Sequence, residues 1–311
     1  MSEEVQVRKE KNPSIVVSKP YHKTVLLCAN GFQTQDVHDA TPIKEYFEKN
    51  FGEEYPNCEI ECVHLFAPAD TKTHKKRLFE KALRERIEHY VALDYDILLM
   101  GYSFSCALTA KMAAKYKDKI RRVIFVAPVY DTIVNHMIPG YIKYALKYMR
   151  LRKKYGDKVS KAIGRQTVEG LPGLLIAIFG SILTNRPYFR HVRQDTLLIR
   201  GDEDVLCTEH SLKKVEGKLK GNYEVYHYPK MTHSILKSLK FNGVVYEDVL
   251  SFSFDTPYLL ENKVESTVLA EAKEISLPPV NADGEEVPTF NEIFDELDPD
   301  GEEEEKRQND F

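Results

Sequence analysis

YDILLMGYSFS, residues 95 to 105, is the stretch from which the fold is read. Its apolar run, Ile97 to Met100, suits a short buried strand, and Gly101 then breaks it. Helix-favouring CALTAKMAAKYKDK, residues 106–119, follows at once. A serine on such a strand–turn–helix corner needs small neighbours two positions before and two after it, because larger side chains would meet across the turn. Gly101 meets this need fully, whereas Ser105 is small but carries a side chain. The corner would expose the Ser103 hydroxyl and aim the first amides of the new helix at the same point, a setting that favours developing negative charge. The competing interpretation is a tight strand-to-helix connection with no chemistry.

The flanking sequence repeats the same rhythm. Upstream lie the apolar strands TVLLCAN (24–30) and EIECVHLF (59–66). The amphipathic DATPIKEYFEKNF separates them, and the long charged DTKTHKKRLFEKALRERIEHYVAL follows. Downstream comes RRVIFVAPV (121–129). Short apolar strands alternating with helices predict βαβ units and a mostly parallel sheet covered on both faces. The alternation stops between about 130 and 193, then resumes with TLLIR (196–200), EHSLKKVEGKLK and YEVYHY (223–228). SILKSLK and YEDVLSF are expected to close the domain as helical segments. An interruption of about 60 residues predicts an inserted helical cap, since structureless loops of that length are uncommon.

The expected fold class is therefore α/β, with a mostly parallel central sheet, helices on both faces and a helical cap insertion. Residues 1–20 form a polar, flexible N-terminal segment in which SIVVS (14–18) is a candidate edge strand. Residues 21–129 and 194–262 form the core, and 130–193 the cap. Residues 263–311 are an acidic tail whose composition suits disorder.

Composition sets outer bounds. With 311 residues, 42% of them hydrophobic, the chain can build one large core plus appendages. The opening residues lack the apolar stretch of a secretory signal. The longest apolar run, LPGLLIAIFGSIL (171–183), is too short to span a bilayer and contains Pro172, Gly173 and Gly180. The expectation is a cytoplasmic protein. Five scattered cysteines (Cys28, Cys58, Cys62, Cys106 and Cys207) argue against a disulfide framework. Cys58 and Cys62 lie four apart, but no second Cys/His pair stands nearby at ligand spacing, so neither a metal nor a cofactor is expected.

The net charge of −4 is unevenly spread. Residues 283–311 carry 13 acids and two bases, while Lys143 to Arg165 carries nine bases and one acid. Such a basic run is most often a solvated helix face. On a cap it could meet an anionic lipid surface or an anionic substrate. No nucleic-acid recognition motif accompanies it. In the tail, Phe290, Ile293, Phe294 and Leu297 share one helical face, which could dock on the body with its acids on the basic cap.

Two further stretches carry chemistry. After TLLIR comes Gly201-Asp202-Glu203-Asp204-Val205-Leu206, and after YEVYHY comes PKMTHSIL with His233 in a loop. With GYSFS they stand in the order serine, acid, histidine. On these residues the chain resembles the α/β-hydrolase superfamily over roughly 22–251, and within it the capped carboxylesterase, monoacylglycerol lipase and lysophospholipase-like serine hydrolases. The resemblance implies Ser103 as nucleophile, Asp204 as acid and His233 as base. Asp202 is the near rival for the acid, and Asp131, just after VIFVAPVY, a more distant one. Of the other histidines beyond the cap, His227 lies on a strand and His210 opens a helix.

The division of labour follows from proton affinity. A serine hydroxyl is a poor nucleophile at neutral pH. An imidazole, titrating near about 6.5, can take its proton and return it to the leaving group. A buried carboxylate fixes the imidazole tautomer. The resemblance also implies an oxyanion hole made by the backbone N–H groups of Phe104 and Phe32. Relatives carry His-Gly where this chain has Asn30-Gly31, which leaves open how that loop is braced. Tyr102, Leu175 and Phe179 are the candidate pocket-lining residues. The expected activity is cleavage of small-molecule acyl esters without a cofactor. The alternative is an inactive hydrolase-like binding module acting through its cap or tail, and Ser105 and Asn30 are the residues that favour it.

Overall fold

In the computed structural model, residues 8–11, 22–32, 38–66, 75–130, 171–204, 206–236 and 242–260 are described. Their strands are β1 (Arg8–Lys11), β2 (Thr24–Ala29), β3 (Cys58–Val63), β4 (Asp96–Tyr102), β5 (Ile120–Val126), β6 (Asp195–Gly201) and β7 (Tyr223–Tyr228). They form one sheet in the order β1-β7-β6-β5-β4-β2-β3. Strands β2 to β7 pair in parallel, and β1 lies antiparallel against β7 at the edge.

The central strands read as continuous apolar runs because both of their faces are covered. All six residues of β2 are buried, and they alternate between two cores: Val25, Leu27 and Ala29 enter one, Leu26 and Cys28 the other. The first core is closed by α2 (Lys76–Ala92), α3 (Ser105–Lys115), α4 (Leu171–Asn185) and α5 (Glu209–Glu216). The second is closed by α1 (Thr41–Asn50) and α6 (Asn242–Phe254). Each helix turns its periodic apolar stripe inward, as α2 does with Phe79, Leu83, Ile87 and Tyr90. Burying such a side chain contributes about 1.5–3 kcal/mol. A Thr208 hydroxyl that accepts from the Ser211 N–H caps α5.

Three differences from the sequence expectations stand out. The edge strand is Arg8–Lys11, whereas SIVVS lies outside the described residues. An all-charged RKEK carries no apolar alternation, so only its backbone pairing with β7 identifies it. In SILKSLK, the described Ser234, Ile235 and Leu236 form a turn rather than a helix, with Ile235 and Leu236 buried in the second core. Of the expected cap, residues 131–170 and the basic run 143–165 lie outside the described residues, as do Asp131 and the tail 263–311. The described part of the span expected as cap is α4 and a 3-10 helix at Arg186–His191. Leu174, Ala177, Ile178, Ile182 and Phe189 of this part pack into the first core, against α3.

Strand order places the functional end. From β2 the chain runs outward to β3 at one edge, then returns to β4 and proceeds through β5, β6 and β7 toward the other. The reversal falls between β2 and β4, and ligands of open α/β sheets bind beyond the strands' carboxyl ends at such a point. Ala29 is level with Gly101 there. No described helix is long and apolar enough to cross a membrane.

Candidate active site

Strand β4 delivers Ser103 and β2 delivers Gly31 and Phe32 to the same end of the sheet. The corner between β4 and α3 has the expected geometry. Ser103 adopts φ 59°, in the left-handed region that costs a non-glycine residue about 1–2 kcal/mol. Its amide donates to the Val126 carbonyl at 2.8 Å, which pins the strained residue to β5. Gly101 cannot be larger. A Cβ there would stand 2.6 Å from Thr109 Oγ1 and 2.8 Å from Cys106 Cα, so α3 would have to move.

Ser105 is not a flaw in the corner. It is fully buried, and its hydroxyl lies 2.9 Å from both the amide and the carbonyl of Tyr102 and 3.1 Å from the Ala29 carbonyl. The hydroxyl thus ties the end of β4 to the end of β2. A glycine would leave the Tyr102 N–H without this partner.

The side chains that follow β6 and β7 meet Ser103. His233 Nε2 lies 2.8 Å from Ser103 Oγ, and His233 Nδ1 lies 2.8 Å from Asp204 Oδ2. The other carboxylate oxygen of Asp204 accepts the amides of Leu206 and Cys207, both at 2.8 Å. Its side chain is fully buried, and among the described residues its partners are the His233 ring and these two amides. Asp202 lies elsewhere. Its carboxylate is 43% exposed and contacts Arg200 at 3.4 Å and His227 at 3.3 Å. Only Asp204, of the two, reaches His233.

A cavity of about 130 Å³ opens on Ser103 and His233. Phe32 and Phe104, the two expected amide donors, both line it. Phe104 precedes the first residue of α3, where backbone N–H groups have no partner within the helix. Tyr102, Leu175 and Phe179 line the cavity too, and Ile178 and Ile182 extend its apolar wall along α4. Asp39 adds a buried residue with a carboxylate to the lining.

Sequence reasoning named Tyr102 and Asn30 but not their supporting contacts, and it did not find Arg200 or Asp39. Tyr102 donates its hydroxyl to the His233 carbonyl. Burial, reinforced by the charges of Asp39 and Asp204, holds that phenol far above its usual range, so it remains a neutral donor. Arg200 donates Nε to the Cys207 carbonyl at 2.7 Å and braces the loop that carries Asp204. Asn30 and Asp39 hold the loop after β2. The Tyr102–His233 and Asn30–Leu65 bonds join segments 131 and 35 positions apart, and the others are turn and loop contacts that periodicity does not reveal.

No family model matches the chain, and no curated protein matches it in sequence. Solved structures do match in backbone. A monoacylglycerol lipase from Paleococcus ferrophilus is similar over 81% of this chain and 99% of its own, at 12% identity and a TM-score of 0.54. The esterase EaEST from Exiguobacterium antarcticum matches 80% of this chain and 95% of its own, at 12% identity and a TM-score of 0.53. MGS-M2, an α/β-hydrolase enzyme from a Medee basin deep-sea metagenome library, matches 83% and 97%, at 16% identity and 0.51. The chain has the α/β-hydrolase fold. Within that fold, the Ser103 corner stands at the carboxyl end of β4, next to the β2–β4 reversal. At such identities the likeness fixes the architecture, and the chemistry must be argued from the site.

Proposed function

We propose that this protein is a serine hydrolase that cleaves carboxylic esters of acyl groups through an acyl-serine intermediate. The observation that carries the proposal is the unbroken relay from Ser103 Oγ through His233 to Asp204, each link 2.8 Å, at a strained corner facing a cavity. Solved lipases and esterases of the same fold, and the apolar wall contributed by α4, support an acyl ester as substrate.

In the proposed reaction, Ser103 Oγ attacks the ester carbonyl carbon while His233 Nε2 takes its proton. Asp204 accepts the His233 Nδ1–H, fixing the tautomer and stabilising the imidazolium. The carbonyl π electrons move onto oxygen, and the Phe104 and Phe32 amides hold the resulting anion. Collapse breaks the C–O bond to the alcohol, which leaves with the proton from His233. Water then attacks the acyl-serine, giving its proton to His233, and a second collapse frees the acid and restores Ser103. No step calls for a cofactor.

The two departures that favoured an inactive module, Ser105 and Asn30, each have buried partners and no longer weigh against catalysis. A series of p-nitrophenyl esters from acetate to palmitate tests the proposal. Hydrolysis of at least part of the series, lost in His233→Ala, is the expected result. A folded protein that turns over none of them would overturn the ester assignment.

A further inference from the structure

The N–H of Phe104 is fixed by the start of a helix, but that of Phe32 lies on a loop beyond the last paired residue of β2. A donor to a developing oxyanion must sit about 2.7–3.1 Å from that oxygen. Something other than secondary structure must therefore hold the loop. We propose that Asn30 is a positioning residue which, with Asp39, locks the Gly31–Phe32 peptide unit so that the Phe32 N–H faces the oxyanion at Ser103. The inference rests on Ser103 being the nucleophile.

Three contacts lead to it. Asn30 is fully buried and uses both ends of its amide: Nδ2 donates to the Gly31 carbonyl at 2.8 Å, and Oδ1 accepts the Leu65 N–H at 2.8 Å. Asp39 Oδ2 accepts the Gly31 N–H at 2.8 Å. The peptide units on both sides of Gly31 are thus each held by a side chain. In a trans peptide unit the C=O and the following N–H point in opposite directions. Anchoring the Gly31 carbonyl on Asn30 therefore sets the direction of the Phe32 N–H, away from Asn30.

The anchors are themselves fixed. His38 Nδ1 accepts the Ala40 N–H at 3.1 Å, so Nε2 carries the hydrogen and donates to the Val63 carbonyl at 3.2 Å. That locks the turn bearing Asp39 to the end of β3, where Leu65 holds Asn30. Gly31 packs so closely on Tyr102 that a Cβ would stand 2.6 Å from the ring. The asparagine that departs from the resemblance thus supplies the bracing itself.

Asn30→Asp isolates the key bond. It keeps size and the acceptor for Leu65 but replaces the donor to the Gly31 carbonyl with an oxygen. Removing an oxyanion donor outright typically costs about 100- to 1,000-fold in rate, so misdirecting one should lower kcat for p-nitrophenyl butyrate about 10- to 100-fold. KM should stay within about threefold, and affinity for a trifluoromethyl ketone, which forms an oxyanion adduct, should fall in parallel with kcat. A folded Asn30→Asp protein with wild-type kcat would overturn the proposal. Should that variant not fold, the wild type decides: phosphonylating Ser103 with a fluorophosphonate should move the Phe32 amide proton downfield in a 15N-edited NMR spectrum, and an unmoved resonance overturns the proposal. A wild type that neither hydrolyses esters nor accepts the phosphonate sinks the hydrolase proposal, and this one with it.

Discussion

The Tyr102 hydroxyl donates to the backbone carbonyl of His233 at 2.6 Å, and its ring lies 5.7 Å from the imidazole and within 19° of parallel. Tyr102 immediately precedes Ser103, so the corner that presents the hydroxyl also grips the loop that presents the imidazole. The two side chains that must meet are set by one short piece of covalent structure. Tyr102→Phe removes the grip and keeps the ring. We expect about a tenfold loss of kcat, and about 1 kcal/mol of stability lost in urea unfolding. Unchanged kcat would show that this bond does not position the base.

Asp204 and Asp202 stand two residues apart and have different surroundings, so they separate cleanly in a test. Asp204→Asn should reduce ester hydrolysis by roughly ten-thousandfold, because the amide favours the wrong imidazole tautomer. Asp202→Asn, which alters a carboxylate that meets Arg200 and His227, should stay within about threefold of wild type in the same kinetic assay. A reversed pattern would move the acid to Asp202.

Ser105→Ala tests whether the serine that replaces a glycine in the corner is structural. The substitution strips the Tyr102 N–H of its partner in a fully buried place. Leaving a buried donor unpaired costs about 1–3 kcal/mol, to be read from chemical denaturation midpoints. Gly101→Ala should be worse, since its Cβ meets backbone atoms of α3.

The cysteines provide a pH-dependent prediction. Burial raises the thiols of Cys28, Cys106 and Cys207 well above their usual range, and that of Cys58 to about 11. Cys62 is raised as well, chiefly by burial. A raised thiol is protonated below its pKa, and only the thiolate reacts. At pH 8 the native protein should therefore react slowly with Ellman's reagent, and in denaturant all five free thiols should react at once. A fast-reacting native thiol would contradict this packing.

Much of the fold is written in local pattern. TVLLCAN, YDILLM and TLLIR read as strands because a sheet covered on both faces leaves them nothing but apolar contacts, and β7 fell where YEVYHY was expected. The corner at Ser103 was legible because steric crowding restricts its neighbours. What pattern missed was long-range or purely backbone. RKEK pairs with β7 through groups every residue has. Asn30 stood out as a departure, but its bond to Leu65, 35 positions away, did not, and nothing in the sequence around Arg200 marks its bond to the Cys207 carbonyl. Ile235 and Leu236 looked helical, because short apolar segments are ambiguous, but they serve a turn whose backbone Tyr246 binds at Leu236.

The central claim is that the Ser103 hydroxyl is an activated nucleophile. Its most direct test is labelling of the folded protein with a fluorophosphonate, followed by mass spectrometry of the peptide that contains residue 103. Stoichiometric modification of Ser103, absent in Ser103→Ala and strongly slowed in His233→Ala, is the predicted result. A folded wild type left unmodified, or modified at another residue with Ser103 untouched, would contradict it.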